Sequence, residues 1–89
     1  MNEQLKRDIA EIINAIPTGT IFDAHFVIQQ LFFNYSDDYM ENLARYQQVR
    51  TFHSAISREI VTQYGAYLEN ESYSNNIHNT PSPNKCWRK

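Results

Sequence analysis

With 89 residues, 42% of them hydrophobic and 13% aromatic, the chain holds one small domain and is too apolar to be a disordered segment. A formal net charge of −2 excludes a uniformly basic surface, and a single cysteine, Cys86, excludes an internal disulfide. No apolar run reaches the roughly 18 residues a bilayer span needs, and no cationic segment followed by an apolar one opens the sequence, so the expectation is a cytoplasmic protein with no membrane partner.

The charge is unevenly placed. Residues 1–44 set Lys6 and Arg7 against Glu3, Asp8, Glu11, Asp23, Asp37, Asp38 and Glu41, whereas residues 45–89 set Arg45, Arg50, Arg58, Lys85, Arg88 and Lys89 against Glu59, Glu69 and Glu71. Because an electrostatic field acts locally, an acidic protein with a basic second half can still present one positive surface to an anion. Asn34-Tyr35-Ser36 and Asn70-Glu71-Ser72 match a glycosylation pattern, which has no meaning without a secretory signal.

Residues 3–16 predict the first helix. Leu5, Ile9, Ile12, Ile13 and Ile16 fall on one stripe while Lys6, Arg7, Glu11 and Asn14 point outward, and Pro17 cannot continue the helix. Thr18 to Phe22 then reads as a turn entering a very short strand. Asp23 is the expected N-cap of a helix over 23–33, with Phe22 placed to staple to Val27. Ala24, Val27, Ile28 and Leu31 face the core. Phe26 and Phe33, seven residues apart, lie on a second face and are expected under a neighbouring helix; left exposed, they would serve a homodimer or a protein partner.

Ser36 is read as the cap of a short helix over 36–45, with Asp37 and Asp38 in the first turn, Tyr35 placed to staple to Met40, and an apolar side of Tyr39, Met40, Leu43 and Ala44. No strong breaker occupies 45–48, so a continuous bent helix from Ser36 to Tyr64 competes with a break there. The helix over 47–64 is the centre of the chain. Val49, Phe52, Ile56 and Ile60 recur at i, i+3, i+7 and i+11 and predict its buried stripe. Its opposite face carries Gln47, Arg50, Thr51, Ser54, Ser57 and Arg58 with no carboxylate, a chemistry suited to phosphates and base edges. The plain alternative is an ordinary solvated face.

Gly65 supplies the helix stop. Residues 66–74 alternate as an exposed strand would, 75–84 are rich in Asn, Pro, Ser and Thr, and 85–89 return as a second strand that packs Cys86 or Trp87 onto the helices. A frayed tail is the alternative, and Trp87 argues against it. His25, His53, His78 and Cys86 lack metal-ligand spacing, with His53 read as a hydrogen-bonded residue at the core edge. With only Gly19 and Gly65, no phosphate-cradling loop is possible, and no nucleophile motif occurs. No catalytic residue, metal or cofactor is expected.

The order of elements resembles the winged helix-turn-helix superfamily from Glu3 to Arg88. Phe22-Asp23-Ala24-His25-Phe26-Val27-Ile28, Ser74-Asn75-Asn76-Ile77-His78 and Trp87 are also similar to a set of short bacterial proteins without assigned activity. The resemblance implies one domain over 1–89, mainly α with a small β hairpin (α+β): main helices at 3–16, 23–33 and 47–64, a short inserted helix at 36–45, and a wing over 66–88. It further implies a DNA-binding transcriptional regulator or accessory factor. Helix 47–64 would enter the major groove of double-stranded DNA, with Arg50 and Arg58 on guanine edges or phosphates and Gln47, Thr51, Ser54 and Ser57 in shorter contacts. His78, Lys85, Arg88 and Lys89 would hold the DNA backbone. One departure is the stretch of 34–46 between the supporting and recognition helices, where three or four residues are usual. That acidic helix must point away from DNA or serve a partner. Two other functions fit the residues: a protein-interaction module using the acidic N-terminal half, with Phe26, Phe33 or the 36–45 segment as contacts, and single-stranded nucleic acid stacked on Tyr67, Tyr73 or Trp87.

Overall fold

Each helix of the computed structural model, which describes residues 1–68, 72–75 and 81–89, can be traced to a local cause. Helix α1 (Glu3–Ala15) starts where Asn2 Oδ1 accepts the Leu5 N–H at 2.9 Å, and stops where Ile16, ahead of Pro17, turns extended. Strand β1 (Ile21–Asp23) follows. Asp23 then caps helix α2 (Ala24–Asn34), its carboxylate accepting the Phe26 N–H at 2.8 Å as expected.

Helix α3 (Ser36–Tyr46) corrects the capping expectation. Its N-cap is Tyr35, no side chain bonds the first turn, and Ser36 is already helical; Asp37 and Asp38 supply the favourable charge there. The competing continuous helix is also resolved. Gln47 takes a left-handed conformation (φ 65°), its N–H bonding the Leu43 carbonyl at 3.0 Å, and helix α4 begins two residues later as Val49–Tyr64. Gln47 therefore belongs to the α3–α4 turn and not to the helix assigned to it from periodicity. Gly65, with φ 135°, ends α4 in a region open to glycine.

Beyond α4, strands β2 (Ser72–Asn75) and β3 (Pro81–Asn84) form an antiparallel hairpin pairing Ser72 with Asn84 and Asn75 with Pro81. Pro81 and Pro83 lack an N–H, so Ser82 and Asn84 are the donors β3 can offer. After Lys85 the chain forms β4 (Cys86–Arg88), antiparallel to β1 with Phe22 opposite Trp87. The described residues thus make a mainly helical α+β arrangement of four helices with two antiparallel strand pairs. Of the strand predicted at 66–74, residues 72–74 lie in β2 and 66–68 lie in no strand; its partner is Pro81–Asn84, inside the stretch read as a loop, and the return strand expected at 85–89 pairs as β4 with β1 and not with β2.

One core joins these parts. Leu5, Ile9 and Ile13 of α1, Val27 and Leu31 of α2, Tyr39 of α3 and Phe52, Ile56 and Ile60 of α4 are all buried in it. Trp87 closes it: its ring stacks on Phe22 at 5.7 Å and its indole N–H donates to the Gly65 carbonyl at 3.0 Å. The tail is therefore anchored by burial of the largest side chain in the sequence plus one satisfied polar group.

The packing corrects several expectations. Phe26 is 39% exposed and Phe33 73%, so among the described residues no neighbouring helix buries their face. Met40 and Ala44 are exposed, and Val49 lies at the surface end of its stripe. In their place α3 buries Asn42. Its side chain accepts the Asn2 N–H at 3.0 Å and donates to Asn2 Oδ1 (3.2 Å) and the Asp38 carbonyl (2.8 Å), which offsets the cost of burying an amide.

Candidate nucleic-acid interface

The solvent face of α4 follows from its buried one. Phe52, Ala55, Ile56 and Ile60 face the core, so helical geometry turns Arg50, Thr51, Ser54 and Arg58 outward, and all four are exposed; Ser57 is half-buried at the margin. Eight residues separate the two arginines, a rise of about 12 Å along the helix. Among the described residues, neither guanidinium joins an ion pair, the pairs being Lys6 with Glu3 and Arg45 with Glu41. Glu59 and Gln63 sit on the flank, joined at 2.9 Å, and Gln63 also reaches the Lys6 carbonyl, tying that edge of α4 to α1.

The acidic helix lies more favourably than its composition implied. The α3–α4 connection is only the turn at Gln47 and Gln48, which places Arg45 of the last α3 turn close in sequence to Arg50. Asp37 and Asp38 are at the opposite end, about 15 Å away along an eleven-residue helix. Asp38 is also turned toward α1, where it contacts Asp8. Asp37 and Asp38 thus lie at the end of α3 remote from Arg50, while Glu41, one turn before Arg45, pairs with that arginine at 3.5 Å.

The C-terminal cations divide by role. Lys85 is half-buried with its ammonium 4.8 Å from the centroid of the Tyr67 ring, a cation–π contact that leaves it near the surface. Arg88 is exposed, with one guanidinium nitrogen 3.5 Å from the Gly19 carbonyl. Lys89 has an anchoring job: its ammonium donates to the carbonyls of Ile13, which also accepts the Ile16 N–H, and of Ile16, at 2.8 and 3.1 Å, over the C-terminal end of α1. His78 lies outside the described residues. Gln47, exposed in the α3–α4 turn, is adjacent to the arginine face without being on it.

Elsewhere the polar groups are structural. His53 Nε2 and Tyr39 Oη share a 2.7 Å hydrogen bond at the α3–α4 interface, the core-edge role expected of that histidine. Among the described residues, no His, Cys, Asp and Glu cluster is arranged to hold a metal, and no helix is long and apolar enough to cross a membrane. Among the described residues the strongly perturbed carboxyl is Asp8, 1% exposed on α1. Burial first, then the hydrogen-bonding and charge of Asp38 and the charge of Glu11, push it up to about 6, against the Gln4 amide that donates to its Oδ1 at 2.9 Å.

Comparison of the chain with family models, with curated proteins and with solved structures finds no match. Function therefore has to be argued from the residues themselves.

Proposed function

We propose that this chain is a non-enzymatic, winged-helix-type DNA-binding domain that acts as a transcriptional regulator or accessory factor. Helix α4 lies in the major groove, and the β2–β3 hairpin with the following Lys85 and Arg88 lies on the sugar-phosphate backbone. The observation that carries this reading is the α4 surface: Arg50 and Arg58 are exposed and, among the described residues, in no ion pair, with Thr51 and Ser54 between them and no acidic residue of α4 on that face. The element order, four helices with a short strand after the first and a hairpin after the last, supports the same placement. Four cations, Arg50, Arg58, Lys85 and Arg88, remain once Lys89 is assigned to α1, so the slope of log K against log[salt] is at most about −3.6. Titrating random-sequence duplex DNA at two salt concentrations tests this: affinity falls steeply with salt if the reading holds, and salt-indifferent binding, or none, overturns it.

A second reading, attachment to a protein partner, is favoured by one specific observation. Phe26 and Phe33 of α2 are left uncovered on a face that shares no residue with the α4 surface.

A further inference from the structure

Helix α2 differs from the other described helices in having no lysine, arginine, aspartate or glutamate among its eleven residues, and its one histidine, His25, is buried. Its outward side is aromatic. Phe26 and Phe33 are both exposed on it, and Phe32, also exposed, meets Phe33 edge to face with ring centroids 5.4 Å apart. The large apolar side chains more than half exposed among the described residues are Phe33, Ile21 and Met40, and the last two belong to the elements just before and just after α2. On the flank, Gln30 Oε1 accepts the Asn34 amide at 2.7 Å. The face is therefore apolar and uncharged.

Charge and spacing together identify what covers it. Residues 1–44 hold seven acids against two bases, so a second copy of this chain is repelled by the acidic half in general, and α2 is the helix of that half at which two copies meet without charge against charge. A partner chosen by complementary charge finds no ion on α2 to pair with. Phe26 and Phe33 lie seven residues apart, on one side of the helix and symmetrically about Gln29 and Gln30. A twofold axis through that midpoint sets Phe26 of one protomer on Phe33 of its partner, and Phe33 on Phe26, so a single patch closes on itself. The same antiparallel pairing sets each helix N-terminus beside the other's C-terminus, the favourable arrangement of their dipoles.

We infer that this chain forms an isologous homodimer through α2, the two helices antiparallel. The inference rests on the reading that the α2 face serves a protein partner, and it is independent of DNA binding by α4. Its strength follows from the area. With Phe33 73% exposed and Phe26 and Phe32 39% each, the three rings leave roughly 300 Å² open per protomer, taking about 200 Å² for a whole side chain. Burying them on both protomers, in an interface about 60% apolar, corresponds to about 1,000 Å² in all. Specific interfaces begin near about 1,200 Å², so pairing is weak, with a dissociation constant on the order of 10–100 µM.

Sedimentation equilibrium of the intact chain, without DNA or any other protein, from about 5 to 500 µM tests the pairing. The expected result is a shift from monomer to dimer across that range, weakened at least about tenfold by Phe33→Asp, and by Gln30→Arg, which brings two like charges to the twofold axis and spares every ring. Cross-linking tests the register. Residues 26 and 33 are about 10.5 Å apart along one helix, too far for a disulfide within a chain. Phe26→Cys/Phe33→Cys should therefore form a disulfide-linked dimer under mild oxidation at least about tenfold faster than either single variant, with the native Cys86 thiol buried out of reach. A monomer throughout the range, or a dimer that neither Phe33→Asp nor Gln30→Arg weakens, would overturn the homodimer. Equal cross-linking of the single and double cysteine variants would overturn its antiparallel form. Because no other macromolecule is present, a monomer sinks this pairing alone, whereas attachment to a different protein fails only by its own binding assay.

Discussion

Asp8 on α1 and Asp38 on α3 hold their carboxyl groups against each other inside the helix interface, and Asp8 Oδ2 is buried without a hydrogen-bond donor. Two ionised carboxylates cannot satisfy that oxygen. A proton on Asp8 removes the buried charge and its repulsion from Asp38, which is why burial first and Asp38 second push the Asp8 carboxyl up to about 6 from its ordinary 3.8.

Stability should therefore depend on pH with a definite sign. The folded state binds this proton more tightly than the unfolded chain, so below about 4 both states hold it, and as pH rises from about 4 through 6 the folded state loses stability, by about 3 kcal/mol at most. Asp8→Asn mimics the protonated acid, keeping an acceptor for Gln4 and placing an amide donor toward Asp38. The substitution should raise Tm at pH 7 and flatten its pH dependence between 4 and 6.5 (about one titration range). Thermal melts at several pH values decide it; a lower Tm for the Asn variant at pH 7 would mean that the ionised pair is favourable.

Trp87 ties the end of the chain to the core. Trp87→Ala should cost about 3–5 kcal/mol through lost burial and the cavity left behind, whereas Trp87→Phe keeps the stack on Phe22 and loses the bond to Gly65, a cost nearer 1–2 kcal/mol. Urea unfolding followed by far-ultraviolet circular dichroism measures both.

Gln47 carries a left-handed backbone that only glycine adopts without cost. Gln47→Gly should raise stability by about 0.5–1 kcal/mol, and Gln47→Val should lower it by about 1 kcal/mol or more. Chemical denaturation resolves shifts of that size in the midpoint, and a destabilised glycine variant would show that the Gln47 side chain contributes contacts of its own.

Lys89 should behave as an anchor. Lys89→Met removes two charge-assisted bonds to the end of α1 and should lower stability by about 1–3 kcal/mol, while leaving the salt dependence of DNA binding unchanged. Parallel melts and titrations separate the two roles; a reduced salt slope would return this lysine to the DNA surface.

The helices were legible because their signals are local. The isoleucine stripe before Pro17, Asp23 ahead of an apolar run, and the Phe52–Ile56–Ile60 spacing each depend on residues within a few positions of one another. What escaped depends on distant partners. Asn42 reads as a surface residue until Asn2 is placed 40 positions away to bond it, and Lys89 reads as a free cation until the carbonyls of Ile13 and Ile16 appear beneath it. Phe26 and Phe33 failed in the other direction, because apolar spacing cannot reveal that no described element buries a face. The arginine surface of α4 was visible in outline from periodicity. Its limits were not: the break at Gln47 is a left-handed residue without glycine or proline to announce it.

The DNA-binding assignment stands or falls on two side chains. Fluorescence anisotropy with a labelled random duplex at about 50 mM salt, comparing the native chain with Arg50→Ala/Arg58→Ala after equal thermal melts establish that both are folded, isolates them. Removing two of four phosphate-reaching cations should weaken binding at least about tenfold and reduce the salt slope by about 1.8. Equal affinity and equal slope in the two proteins would contradict a DNA-binding role for α4.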